Sequence, residues 1–196
     1  MKDNIMKYML GAALFCLSLS SCGDFLEIEP KTFVSEDNFW NEKNDIEQML
    51  TGVYVKMQSD AYIRRCIMWG ETRSDNVIAG RLDYNKQVDE YRTLRNQLDS
   101  ANQFTNWSIF YSVINQCNTI IARAPEVSQN DPTYMDTDVR ATQAEASFLR
   151  DLSYFYLVRA FKDVPFYFDA IQSDDDIPAL PPVSGDQIVP ALIADL

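Results

Sequence analysis

The chain of 196 residues contains no histidine. That absence removes the Ser-His-Asp and Cys-His dyads, the imidazole general base and any His-containing zinc site. Only four cysteines occur, and two of them, Cys16 and Cys22, belong to an N-terminal apolar run. The others, Cys66 and Cys117, sit inside apolar helical patterns. They are expected as buried free thiols, although an exported chain could pair them, and nothing suggests a disulfide scaffold. Basic residues are in deficit, 17 Lys and Arg against 29 Asp and Glu for a net charge of −12. Nucleic acid and anionic lipid head groups are therefore poor partners. What is present is a globular composition, 46% hydrophobic, with enough chain for one domain and a substantial core.

The N-terminus carries the sharpest signal. Lys2 and Lys7 precede an uncharged stretch, 8–23, that is long enough for a signal h-region but short of the ~20 apolar residues of a membrane-spanning helix. It closes on Leu19-Ser20-Ser21-Cys22, where small residues give a peptidase access to the backbone just before a cysteine. The alternatives are an uncleaved anchor, or an ordinary signal peptide with an incidental cysteine. Positive end, apolar run and box agree instead on a lipoprotein signal, residues 1–21. Cys22 then becomes the first mature residue, lipidated on its sulfur, and several acyl chains hold such a protein firmly on a membrane outside the cytoplasm.

Residues 22–43 read as a tether arm and short helix, and 44–196 as a helical domain. In the first clear helix, 44–57, Ile46, Met49, Leu50, Val53, Tyr54 and Met57 form a stripe at three-and-four spacing. Asn44 is the expected cap, with Glu47 completing a capping-box arrangement. Gly52 lies in the stripe, where it suits a close helix contact. Helical character continues over 60–68. From 71 to 101 the pattern dissolves into a polar stretch longer than ordinary connections, and such loops are disproportionately functional. A helix over 104–123, apolar on two sides, should pack between neighbours and be ended by Pro125. Another runs over 139–161 and stops before Pro165. A loop with Asp174, Asp175 and Asp176 in a row precedes an amphipathic helix from 185 that carries no stop signal at 196, so a longer protein is expected. The fold class is all-α: antiparallel helix pairs stacked as a bundle or solenoid.

Several ordered segments carry a family resemblance. They are the arm Cys22-Gly23-Asp24-Phe25-Leu26-Glu27-Ile28-Glu29-Pro30; Asn38-Phe39-Trp40 with the following helix; Trp69-Gly70-Glu71-Thr72-Arg73-Ser74-Asp75-Asn76; and Trp107, Tyr111, Asn115 and Asn118 in the next helix. The most specific is Ala144-Glu145-Ala146-Ser147-Phe148-Leu149-Arg150, followed by Tyr154-Phe155 and Phe161-Lys162-Asp163-Val164-Pro165. Together they resemble the front of the SusD/RagB family of surface lipoproteins. Pro181 departs from the pattern, standing where an arginine is common. The resemblance implies tetratricopeptide-like helix pairs, a long ligand-facing loop and a place on the outer face of the outer membrane. It implies binding without catalysis: capture of an oligosaccharide, or in some members a peptide, for a SusC-like TonB-dependent transporter.

Within that resemblance the polar stretch is where ligand contacts are expected. Sugar capture needs an aromatic platform flanked by amide and charged groups. Asp75, Asn76, Arg81, Tyr84, Asn85 and Tyr91 supply that chemistry, against the plainer reading of solvated loop residues. Trp40, Trp107, Tyr111 and Tyr154 have core spacing, and Asn115, Asn118, Glu145 and Arg150 are expected to make structural bonds. The aspartate row lacks the spaced ligands of a calcium loop, no carboxylate pair stands out for glycoside hydrolysis, and no cofactor or metal is called for. A lipid-anchored adaptor binding another protein is the rival to nutrient capture.

Overall fold

A computed structural model describes residues 39–74, 80, 85–172 and 180–196. Six helices account for most of them: α1 Lys43–Met57, α2 Asp60–Trp69, α3 Val88–Leu94, α4 Ser108–Asn130, α5 Asp136–Phe161 and α6 Gly185–Asp195. A two-residue antiparallel pair, β1 Asp163–Val164 with β2 Val183–Ser184, joins α5 to α6. The all-α architecture expected from the periodicity is what forms.

Helix α4 is the axis. Phe110, Val113, Ile114, Cys117, Ile120, Ala124 and Val127 are all buried along it, and burying each larger side chain contributes roughly 1.5–3 kcal/mol. Its two apolar flanks meet α1 and α5, both antiparallel to it. On the α1 side Gln116 Nε2 donates to the Met49 carbonyl at 2.8 Å and Lys56 Nζ to Ser112 Oγ at 2.8 Å. On the α5 side Arg150 Nη1 donates to Asn118 Oδ1 at 3.1 Å. Gly52 permits the first contact, since a Cβ there would lie 2.9 Å from Gln116 Nε2.

Several boundaries differ from expectation: α4 begins at Ser108 rather than 104 and α5 at Asp136 rather than 139. Helix α1 is capped two residues earlier than expected, at Glu42, in a reciprocal capping box with Asp45, whose carboxylate accepts the backbone N–H groups of Asn41 and Glu42 at 3.1 and 2.9 Å. Asn44 and Glu47 thus do not form the cap. Helix α4 does not end near Pro125 but runs through it to Asn130. A proline inside a helix leaves the carbonyl four residues back without a donor, here Ile121. Gln143 Nε2 on α5 donates to that carbonyl instead, at 3.1 Å. The α4–α5 turn is tied down by Asp131, which accepts from the Lys43 N–H at 2.9 Å and from both Thr133 N and Oγ1. These donors hold its carboxyl below the usual range.

Helix α6 folds back antiparallel along the C-terminal half of α5. Lys162, at φ 69°, ends α5. Gly185 allows the approach: a Cβ would lie 2.7 Å from Val158 Cγ1 and 2.8 Å from the Lys162 carbonyl. Arg150, 3% exposed, ties three helices together. It bonds Asn118 of α4, Asp151 Oδ1 at 3.2 Å and Asp195 of α6, and its guanidinium lies 3.9 Å from the Phe168 ring centroid. Glu145 accepts from the Tyr54 hydroxyl at 2.6 Å, a bond that raises the phenol to about 12. Both side chains thus make the structural pairs expected of them. Cys66 and Cys117 are free thiols raised by burial to about 11 and 12, which leaves them unreactive at neutral pH. Among the described residues no helix is long and apolar enough to cross a membrane. The leader, Cys22 and most of the 22–43 arm lie outside the described residues.

Candidate ligand-binding region

The polar stretch expected to be aperiodic loop contains the short helix α3, and it and the following residues 102–106 are tied to α2 from several sides. Arg65 reaches the Asn106 and Gln103 carbonyls at 2.5 and 2.8 Å, and Trp69 Nε1 donates to the Phe104 carbonyl at 2.8 Å. Arg64 pairs with Glu90 and lies 5.5 Å from the Phe104 ring centroid. Under α3, buried Asn102 donates to the Asp89 carbonyl at 3.1 Å, and the Asp89 carboxylate accepts the Gln103 N–H at 3.2 Å. Phe104 and Thr93 are buried at the centre of this hub. The hub shapes 85–106 with its own polar core, which hydrophobic periodicity cannot report.

Helix α3 ends with two local bonds, Gln97 N–H to the Arg92 carbonyl at 2.8 Å and Asn96 N–H to the Thr93 carbonyl at 3.0 Å. Asn96 takes φ 54°. This is a Schellman closure with asparagine at the left-handed position. Arg92 meanwhile pairs with Asp99, whose carboxyl is lowered first by that bond.

Of the expected ligand residues, Asp75, Asn76, Arg81 and Tyr84 lie outside the described residues. The same is true of the Asp174–Asp176 row. Asn85 is exposed in the turn leading into α3, and Tyr91 is half-buried on α3 itself. The Arg95 guanidinium sits 4.4 Å from the Tyr91 ring centroid, so a sugar stacking on that face competes with a cation already there. Arg95 was missed by sequence reading. The i, i+4 spacing from Tyr91 was the available signal, hidden because the segment was read without helical period. The described part of the region thus offers a tyrosine, an arginine and an asparagine on a rigid base. That chemistry suits a neutral hydroxylated ligand.

A second aromatic group, packed where α4 begins and α5 ends, is structural. The Tyr111 hydroxyl donates to the Pro165 carbonyl at 2.7 Å; the Tyr154 hydroxyl donates to the Tyr167 carbonyl at 2.8 Å and accepts the Tyr167 N–H at 3.1 Å. Burial raises both phenols, keeping them neutral donors. Asn115 clamps Ile171 through both its amide groups, at 2.8 and 2.9 Å, and Asn118 donates to the Asp169 carbonyl at 3.1 Å. As expected for packed amides, these bonds tie a following segment to the helix pair. Among the described residues no group of three acidic or cysteine side chains could hold a metal ion.

The SusD-like family described as "Starch-binding associating with outer membrane" matches residues 24–180. The chain belongs to this family. Its relatives include SusD-like protein P38 of Formosa agariphila, 29% identical over 180 residues, an alignment covering 91% of this chain and 33% of that protein. Among solved structures, a SusD superfamily protein from Bacteroides thetaiotaomicron aligns with a TM-score of 0.66 at 23% identity over 80% of this chain and 34% of that one. A laminarin-binding SusD-like protein gives 0.66 at 18% identity, over 79% and 33%. At such identities the structures establish a shared fold. This SusD-like chain spans about a third of the length of the curated relatives it matches.

Proposed function

We propose that the chain belongs to a cell-surface lipoprotein that captures oligosaccharides and passes them to a SusC-like TonB-dependent transporter. The family match over 24–180 carries the reading, because that family is described as starch-binding at the outer membrane. The laminarin-binding structural neighbour is consistent with a glucan as the ligand class. Cys22 bears the lipid and holds the protein at the outer membrane, facing outward. Binding without catalysis agrees with the chemistry of the chain: histidine is absent, and burial holds the free thiols protonated. In this reading Asp75, Asn76, Arg81, Tyr84, Asn85 and Tyr91 contact the ligand. The tyrosines cover apolar sugar faces, while the amides and charges bond hydroxyl groups.

Isothermal titration of the lipidated chain in detergent against maltohexaose, laminarihexaose and a control peptide tests capture. Saturable binding of one glucan is expected, with Tyr91→Ala weakening it about fivefold for one lost stacking contact. Silence toward both sugars would remove the reading, and binding of the peptide alone would replace it with peptide uptake. Labelled palmitate should enter the wild-type protein and not Cys22→Ser.

A further inference from the structure

The hub over residues 85–106 is attached differently from the helices around it. Helices α4 and α5 meet in a continuous apolar core that also takes in Tyr62 and Trp69 of α2. Phe104, 2% exposed, lies outside that core. It is the one hydrophobic side chain buried within the hub, and the other two buried there, Thr93 and Asn102, are polar.

What fastens the hub to α2 is polar as well. The half-buried Arg65 guanidinium bonds the Ala61 carbonyl of its own helix at 2.7 Å and the Gln103 and Asn106 carbonyls at 2.8 and 2.5 Å. Trp69 Nε1 holds the Phe104 carbonyl at 2.8 Å, and Arg64 pairs with Glu90. Water replaces such bonds when a contact opens, so each adds little net stability. A region that buries so little apolar surface opens at a lower free energy than the core beside it. Internal bonds, however, make the hub one piece. Asn102 donates to the Asp89 carbonyl at 3.1 Å, the Asp89 carboxylate accepts the Gln103 N–H at 3.2 Å, and Arg92 pairs with Asp99.

We propose that the hub is a platform that opens from α2 and closes on it as a unit while α4 and α5 stay folded, with Arg65 as its latch. Closure sets Asn85 and Tyr91 in place, so a glucan bound to them holds the platform shut. Arg65 is thus a positioning residue: it touches no ligand and acts through the backbone of 103–106. The coupling to glucan rests on the function proposed above, whereas the opening does not.

Hydrogen–deuterium exchange of the lipidated chain in detergent, read peptide by peptide, tests the opening. Amides of 88–105 are expected to exchange as one set, protected about tenfold less, or lower still, than those of 110–124 in α4. Arg65→Ala should speed that set about tenfold or more, because it removes two charge-assisted bonds to the hub. Gln143→Ala, which loosens the α4–α5 pair, should speed α4 and leave the hub unchanged, since the bond it removes persists in the open form. A hub that speeds with Gln143→Ala opens only when the whole chain unfolds, and the proposal falls. Equal protection of hub and α4, or a hub indifferent to Arg65→Ala, overturns it too. Maltohexaose or laminarihexaose, whichever binds by calorimetry, should at about ten times its Kd slow the hub amides about tenfold. Binding with unchanged hub exchange overturns the coupling. Absence of binding removes the coupling together with glucan capture, and leaves the opening to be judged by the two variants.

Discussion

Gln143 on α5 donates its side-chain amide to the Ile121 carbonyl of α4 at 3.1 Å, replacing the backbone donor that Pro125 removes. The contact both permits a proline inside a long helix and pins the two longest helices in register. Gln143→Ala should therefore cost about 1–2 kcal/mol in urea unfolding, the penalty of leaving a part-buried acceptor unmet. In a Pro125→Ala background, where the restored backbone N–H can serve Ile121, most of that cost should vanish. Equal costs in the two backgrounds would refute the pairing.

Gly52 and Gln116 form a comparable couple at the α1–α4 contact. Alanine in a helix is favoured over glycine by about 1 kcal/mol, yet a Cβ at position 52 would meet Gln116 Nε2 at 2.9 Å and disturb its bond to the Met49 carbonyl. Gly52→Ala should be neutral or destabilising alone. In a Gln116→Ala background it should stabilise by roughly 0.5–1 kcal/mol. A double-mutant cycle by chemical denaturation reads the difference, and a stabilising single substitution would mean that Gln116 yields freely.

These couples also show what the sequence can and cannot disclose. Three-and-four spacing on α1 and α4 was visible because apolar burial sets that period, and the two-sided apolar pattern of α4 correctly implied a helix between neighbours. The continuation through Pro125 was not visible, because the compensating donor lies on another helix and no local rule contains it. Helix α3 escaped for a related reason: it is held by Arg64 and Asn102 through polar bonds rather than by an apolar stripe. Phe148 and Phe155 of α5 are exposed, but their residue type is that of a buried face, so they look like core until neighbouring helices are placed. For the candidate ligand residues, the sequence offered composition and family position. Only the structure supplied Arg95 over Tyr91.

Arg150 is the side chain on which α4, α5 and α6 converge. Truncation to alanine would strand the Asp151 carboxylate in the interior and unpair Asn118 Oδ1, so Arg150→Ala should cost about 3–5 kcal/mol. Arg150→Lys keeps the charge but lacks the planar fork that serves Asp151, Asn118 and Asp195 together, and should recover only part of this. Thermal melts of both variants decide the matter. A melting temperature for Arg150→Ala close to wild type would mean that the network contributes little.

Asp151 should make stability depend on pH with an unusual sign. Burial, reinforced by the neighbouring Asp195 carboxylate and opposed by Arg150, raises its carboxyl to about 6. An unfolded aspartate titrates near ~4. Between those values the folded chain holds a proton that the unfolded chain has released. The stabilisation is therefore complete below about pH 4 and is lost as pH rises through about 6; its size is on the order of 2 kcal/mol. Asp131 and Asp99, whose carboxyls are lowered, act oppositely as the pH falls, so the useful quantity is a difference between proteins. Asparagine at 151 imitates the protonated acid and cannot ionise. The stability of Asp151→Asn minus that of wild type, from denaturant titrations between pH 4 and 7.5, should rise with pH and level off above about 6.5. Parallel profiles would show that Asp151 is ionised in the folded chain across the whole range and that Arg150 alone sets its charge.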